Sequence, residues 1–298
     1  MEYRGRSHGA LGVVNAIGSG GYGAAVALDL PVEVVVRVVE GVWEGVVCTR
    51  GVSRRVDPSL LQAVAWAVSR LGGCRVPGLS VEGASEVPYA AGLKGSSALI
   101  DAILDALLGY CGVEVGVYER ALLGVAAARR AGLTVTGALD DHLAVAGCGA
   151  YATINPSSLV RHDPCMGGGV YVGVVVPGSL EIGRVRAEVY RRFRPLYMAA
   201  WRLAVEGLWW DAAVVNGAAG LLSLGIDPGE VYSRLRGYDL LAVGVTGKGP
   251  GVYTVSESAR TAEEAAKSLA ELLGGYVFTV KPLPCGDEEL CRARQSSG

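Results

Sequence analysis

"VPYAAGLKGSSALIDAILDALL", residues 87–108, decides how the rest of the chain is read. A proline leads into a short turn punctuated by Gly92 and Gly95. Two serines, Ser96 and Ser97, follow, and then leucine and isoleucine recur at helical spacing. Leu99, Ile100, Ile103, Leu104, Leu107 and Leu108 fall on one face of the predicted helix, and Asp101 and Asp105 fall on the other. Glycines let backbone N–H groups come close to an anion. A helix N-terminus adds free N–H donors and partial positive charge, and Lys94 adds a full charge. The competing reading is a glycine turn with a serine cap. Two glycines, a lysine and two serines within a few residues are more than a cap requires. The stretch is not a Walker A loop, because Lys94 is followed by Gly95 rather than Ser or Thr.

Two other glycine loops need the same weighing. In "NAIGSGGYGAAVALDL", 15–30, Gly18, Gly20 and Gly23 satisfy Gly-x-Gly-x-x-Gly, and Glu40 stands about where a ribose-binding acid would. That fingerprint must open a crossover helix, yet Pro31 arrives eight residues after Gly23 and the strand-like "VEVVVRVV" follows. A glycine-rich hairpin fits better. The loop could also line a substrate pocket, with Asn15 or Ser19 reaching a hydroxyl. In "GVTGKGPGVYTV", 244–255, Gly247, Lys248, Gly249 and Pro250 join two predicted strands. A plain hairpin turn accounts for them, and a lysine on so tight a turn could also face a nucleotide.

"TVTGALDDHLAVAG", 134–147, carries Asp140 and Asp141 after a Thr136-Gly137 turn, ahead of an apolar helical run. Acids in the first turn of a helix suit its dipole. They could equally hold a catalytic acid against a phosphate, where it would orient or deprotonate an attacking hydroxyl. His142 beside them reads as a packing or surface residue, and His8 and His162 complete no triad or metal pattern with it.

Composition bounds the function. The net charge is −2 and basic residues are spread along the chain, which excludes a nucleic-acid or anionic-membrane partner. Residues 9–28 carry no charge over 20 positions, but six glycines break any spanning helix there. Seven cysteines form no CxxC and no zinc spacing to histidine, so they read as small buried thiols in a reducing cytoplasm. There are 23 Arg to 4 Lys, with only three Asn and two Gln, a composition that hints at a thermophile, whose cytosol tolerates disulfides. Cys285 and Cys291 are then the pair to watch, although a GC-rich genome would give the same arginine bias.

The pattern divides the chain at the Pro-, Ser- and Gly-rich "NPSSLVRHDPCMGGG", 155–169. The expected domains are 1–157 and 158–284, with a loose tail at 285–298. The first predicts strands at 32–39 and 42–48 and helices at 58–71 and 118–130. The second predicts a strand at 170–178, helices at about 181–206 and 210–224, strands at 240–247 and 251–256, a helix near 260–273 and a strand at 276–281. That order matches a split βαβ sandwich.

With these stretches in hand, the chain resembles the GHMP small-molecule kinases. "PYAAGLKGSSA" is similar to their phosphate loop, "GVTGKGPGVYTV" to their C-terminal glycine motif, and "HGALGVVNAIGSGGYGAAVALDL" to their N-terminal substrate-side segment, all in the family's order. The lysine in "GLKGSSA", the "NAI" opening and the "TGALDD" pair resemble the archaeal-type shikimate kinases within that family. The resemblance implies an α+β fold, with an N-terminal domain like ribosomal protein S5 domain 2 and a ferredoxin-like C-terminal domain. It implies ATP- and Mg²⁺-dependent phosphorylation of the 3-hydroxyl of shikimate, in the cytoplasm. Homoserine kinase, mevalonate kinase and a non-catalytic sensor of the same fold are the alternatives. By the same resemblance Pro88, Ala91, Gly92, Leu93, Lys94, Gly95, Ser96, Ser97 and Ala98 would wrap the nucleotide phosphates, with Ser97 also on Mg²⁺. Gly247, Lys248 and Gly249 would back that loop. Asn15, Ser19, Thr136 and Gly137 would face the substrate, and Asp140, with Asp141 as its competitor, would act on the hydroxyl. One departure stands out. Where relatives place a Mg²⁺-binding glutamate about eleven residues before the catalytic acid, this chain has Arg129 and Arg130. Asp141 or water could fill the metal position, and an arginine there could pair with a substrate carboxylate.

Overall fold

The first forty residues form one long antiparallel ribbon. Strand β1 (Glu2–Val14) pairs with β2 (Tyr22–Val38) from Glu2↔Arg37 to Val14↔Ala24. Between them Asn15 caps a single helical turn, α1 (Ala16–Ser19). So short an antiparallel connection leaves no place for a crossover helix, which disposes of the dinucleotide-binding alternative. These relations come from a computed structural model that describes residues 1–177 and 187–286.

The other edge of β2 is shared by two partners. Its first five residues pair with β6 (Ala150–Ile154) and its last seven with β5 (Leu79–Ser85). Strands β3 (Trp43–Thr49), β4 (Val52–Arg55) and β7 (Ser158–Asp163) complete a seven-stranded sheet in which β3 and β5 run parallel and the other pairs antiparallel. Helices α2 (Pro58–Ser69), α3 (Gly95–Cys111), α4 (Val117–Arg130) and α5 (Leu139–Ala146) pack against one another, with α3 and α5 lying on β1 and β2. Asp57 starts α2 by accepting from the Ser59 N–H, with Pro58 at the first helical position. The leucine and isoleucine stripe of α3 is buried as its spacing requires, with Leu99 at its start only partly so.

A second, four-stranded sheet has the order β11-β8-β10-β9 and is antiparallel throughout. Its strands are β8 (Tyr171–Val176), β9 (Ala242–Val245), β10 (Val252–Ser256) and β11 (Tyr276–Val280). Helices α8 (Trp209–Leu224) and α10 (Ala259–Leu273) cover it, while α6 (Ala187–Arg191) and α7 (Arg194–Glu206) reach back to α1, and α9 (Pro228–Arg234) packs near α8 and α10. Numbered within the unit, the sheet order is 4-1-3-2, the split βαβ arrangement of a ferredoxin-like domain.

The two sheets are tied together. After β11 the chain returns along the middle of β2, where the Asp29 N–H donates to the Lys281 carbonyl and the Leu283 N–H to the Ala27 carbonyl. Residue 158, the expected start of the second domain, opens β7, which pairs with β6 in the first sheet. Of the expected tail, 287–298 lie outside the described residues.

The cysteines correct the expectation of buried thiols. Cys74 is bonded to Cys111, and Cys148 to Cys285, so Cys285 is not available to Cys291, which lies outside the described residues. Cys165 is disulfide-bonded as well, and Cys48 is the free thiol among the described residues. The sequence hides these pairs because they join residues 37 and 137 positions apart. Asp101 shows what helical spacing leaves open. It lies opposite the apolar stripe, as the spacing has it, yet is fully buried, because α4 and α5 cover that side of α3.

Candidate active site

The turn before α3 is shaped by three residues in the left-handed region, Ala90, Gly92 and Lys94, at φ 56°, 79° and 65°. For Ala90 and Lys94 this conformation costs about 1–2 kcal/mol each, strain of the kind that clusters at functional sites. Lys94 stands at the N-cap of α3 and makes no side-chain cap. The first helical bond runs from the Ala98 N–H to the Lys94 carbonyl. The N–H groups of the first turn therefore form an uncapped N-terminus, suited to an anion.

The second sheet holds this turn from behind. The Thr246 hydroxyl donates to the Gly92 carbonyl at 3.0 Å and accepts from the Gly12 N–H at 3.0 Å. The Asn15 side-chain amide donates to the Gly247 carbonyl, and the Asn15 N–H donates to Asn216, which is anchored on Val245. The Tyr190 hydroxyl donates to the Lys248 carbonyl. Loop 88–94, the turn end of the ribbon and the 246–250 turn thus meet at one junction.

Facing the loop is a corner built of side chains. Asp140 opens α5 and is 2% exposed. Asn155 orients it: the side-chain amide donates to Asp140 Oδ1 at 2.8 Å, while Asn155 Oδ1 accepts from the Leu139 N–H and the Thr153 hydroxyl. Lys94 Nζ lies 2.7 Å from Asp141 Oδ1. Glycines make the floor. A side chain at Gly23 would strike the Asp140 carboxylate, and one at Gly12 would come within 3.1 Å of Lys94 Nζ. Burial, reinforced by the charge of Asp141, raises the Asp140 pKa to about 7, against the pull of Lys94 and the Asn155 hydrogen bond. Burial works against the Lys94 ammonium, but the two carboxylates outweigh it and hold its pKa above the ordinary value.

A cavity of about 1210 Å³ joins the two parts. Its wall includes Pro88, Ala91 to Ser97, Asn15, Thr136, Asp140, Asp141 and Gly247 to Gly249. Ala98, Ser19 and Gly137 are not on it. The Ser19 hydroxyl is engaged inside its own turn, donating to the Tyr22 carbonyl and accepting from the Tyr22 N–H. Gly137, at φ 99°, shapes the entry to α5. Arg129 and Arg130 are off the wall too, and the Arg130 guanidinium lies 4.6 Å over the Trp66 ring. The arginines that line the cavity are Arg54, stacked at 3.8 Å on Tyr89, and Arg55. Sequence reasoning missed Asn155, Thr246 and these two arginines. "SRRVD" before α2 was the one local signal for the last.

Similar proteins identify the family and the fold. The model of the GHMP kinases N terminal domain matches residues 59–149. A shikimate kinase of Aeropyrum pernix is 40% identical over 89% of this chain and 94% of its own length. That of Thermococcus kodakarensis is 35% identical over 88% and 95%. Among solved structures, L. major mevalonate kinase in complex with R-mevalonate superposes with a TM-score of 0.68 at 14% identity, covering 95% of this chain and 97% of that one. Lactococcus lactis galactokinase complexed with galactose gives 0.66 at 13%, covering 96% and 94%. The structural likenesses establish the fold and the sequence relatives the membership: this chain belongs to the GHMP kinase family, in the company of archaeal proteins named shikimate kinase.

Proposed function

We propose that this enzyme transfers the terminal phosphoryl group of ATP to the 3-hydroxyl of shikimate. One observation carries the mechanism: the uncapped N-terminus of α3, with Lys94, faces a buried carboxylate of pKa about 7 across a single cavity. The relatives named shikimate kinase, similar over most of their length, support the choice of acceptor.

The N–H groups at Gly95, Ser96 and Ser97 and the Lys94 ammonium would hold the polyphosphate. Packing does not demand the missing side chain of Gly95, since a Cβ there would meet only Val87, at 3.4 Å. That glycine therefore clears space for a ligand. Asp140 would accept the proton of the acceptor hydroxyl as its oxygen bonds to phosphorus and the bridging P–O bond to ADP breaks. A pKa near 7 suits a base that must take up a proton at neutral pH. Asn155 keeps the carboxylate pointed, and Thr136 and Asn15 border the acceptor's space. Magnesium fits the donor set. Ser97 and Asp141 offer hard oxygens beside the loop, while no group of three or more His, Cys, Asp or Glu gathers for a metal among the described residues. Such a cation would be held chiefly by the nucleotide, with Ser97 and Asp141 as its protein ligands. Bound there, it would neutralise charge on the phosphates. We place the enzyme in the cytoplasm, where ATP is available. No described helix is long and apolar enough to cross a membrane.

A coupled ADP-release assay with ATP and Mg²⁺ against shikimate, homoserine and mevalonate tests the proposal. Turnover with shikimate alone is expected. Turnover with one of the others, or nucleotide binding without any turnover, would overturn the acceptor assignment.

A further inference from the structure

Strand β2 has a gap in its ladder. Its first five residues pair with β6 and its last seven with β5, which leaves residues 27–31 between the two partners. The segment that returns from β11 fills most of that gap. The Ala27 carbonyl accepts from the Leu283 N–H, the Asp29 N–H donates to the Lys281 carbonyl, and Leu28 and Pro282 form an antiparallel bridge. On the far side the Gly149 N–H donates to the Leu283 carbonyl. Ala27 and Leu28 are fully buried, so opening the segment would leave backbone groups unpaired at the centre of the main sheet.

The segment buries little of its own. Of residues 281–286 only Pro282 is buried, set against Gly167, where a side chain would collide with it. Elements held by backbone bonds with little apolar burial open readily. One covalent bond offsets that weakness. Cys285, two residues beyond Leu283, is bonded to Cys148, next to Gly149. The disulfide therefore closes over the hydrogen bonds that fill the gap. Cys74–Cys111 sits elsewhere, joining the end of α3 to the loop before β5. We infer that Cys148–Cys285 is a redox-sensitive clasp on the main sheet. Oxidised, it holds the returning segment in the gap of β2. Reduced, it lets the segment open, and the protein loses its resistance to heat. Both cysteines are half-buried, within reach of a small dithiol. One thiolate of the dithiol attacks one cysteine sulfur and displaces the other; its second thiol then closes a ring and frees the first. Two electrons and two protons pass from the dithiol to the pair, which ends as two thiols. No cysteine lines the cavity, so the clasp does not rest on the kinase function proposed above.

The full chain, purified without reductant and alkylated before digestion, gives the first answer. Mass spectrometry should find a peptide pair linked through Cys148 and Cys285. Both cysteines recovered as alkylated thiols would overturn the inference. Amide hydrogen exchange gives the second answer. In Cys148→Ser/Cys285→Ser the amides of Asp29, Gly149 and Leu283 should exchange at least about tenfold faster than in wild type, and wild type treated with dithiothreitol should match it. The melting midpoint should fall by about 5 °C or more, while turnover well below that temperature is unchanged. Cys74→Ser/Cys111→Ser is the control. It should lower the melting midpoint and leave those three amides as protected as before. Equal exchange in wild type and Cys148→Ser/Cys285→Ser would overturn the clasp. So would the same gain in both double variants, because the effect would then be one of global stability. Should Cys148→Ser/Cys285→Ser not fold, wild type with and without dithiothreitol decides, and unchanged exchange at the three amides overturns the inference.

Discussion

The two faces of the cavity are made by opposite means. The phosphate-loop face is backbone: left-handed turns at Ala90, Gly92 and Lys94, an uncapped helix end, and the Gly92 carbonyl held from behind by Thr246. The acid face is side chain: Asp140, Asp141 and Asn155, drawn from α5 and the end of β6 and turned inward by tertiary contacts. A backbone surface recognises an anion wherever the chain takes that path. A side-chain surface does chemistry only when several residues are aligned at once. Changes on the first face should therefore show in nucleotide affinity, and changes on the second in turnover.

The sharpest test of that division is Asp140→Asn. It keeps the shape and removes the base, so kcat should fall at least about 10²-fold with a modest change in KM. Steady-state kinetics beside Asp141→Asn decides between the two acids. If the Asp141 variant loses more turnover, the base is Asp141 and Asp140 supports it.

Lys94 is where the comparison can break, because it belongs to both faces. Its backbone ends the loop while its ammonium sits on Asp141. Lys94→Ala should mainly weaken ATP binding, by roughly tenfold, the loss of one charge-assisted contact. Calorimetric titration with a nucleotide analogue measures it. Unchanged affinity with collapsed turnover would show that the lysine serves the acid corner alone. Thr246→Val is a gentler test of the loop face. It removes the hydroxyl linking Gly92 to Gly12, worth about 1 kcal/mol, so KM for ATP should rise severalfold while kcat holds. A fall in kcat at constant KM would mean that the junction aligns the acid corner instead.

The same contrast explains what could be read from the sequence. The loop was legible because its signal is local: glycines, a lysine and serines at the start of an amphipathic helix. The succession of strands and helices in the second unit was legible from their own periods, although the helix expected over 181–206 is two among the described residues, α6 and α7, and α9 was not foreseen. The burial of Asp101 was not legible because helical spacing puts it opposite the apolar stripe of α3, and only the packing of α4 and α5 reveals that this face is buried too. Asn155 looked like part of a linker. Its role depends on β6 ending beside α5, a relation between segments that no local pattern carries. The disulfides stayed hidden for the same reason, as partners distant in sequence.

Removing the base should also change stability, by a smaller amount and in the opposite direction to activity. Asp140 has its pKa raised from 3.8 to about 7, chiefly by burial and then by Asp141. The folded protein therefore holds a proton that the unfolded chain releases between about pH 4 and 7. Across that window folding becomes less favourable as pH rises, and above pH 7 the full cost of a buried ionised carboxylate beside Asp141 is present. Asparagine cannot ionise and can still pair with Asn155. Asp140→Asn should thus melt a few degrees (about 2–6 °C) above wild type at pH 8, and the gain should vanish near pH 4. Calorimetric scans at the two pH values read the difference directly. A variant no more stable than wild type at pH 8 would mean that Lys94 neutralises the corner completely. Asp140 would then be an ordinary ionised acid, and the acid limb of kcat against pH would lie well below 7.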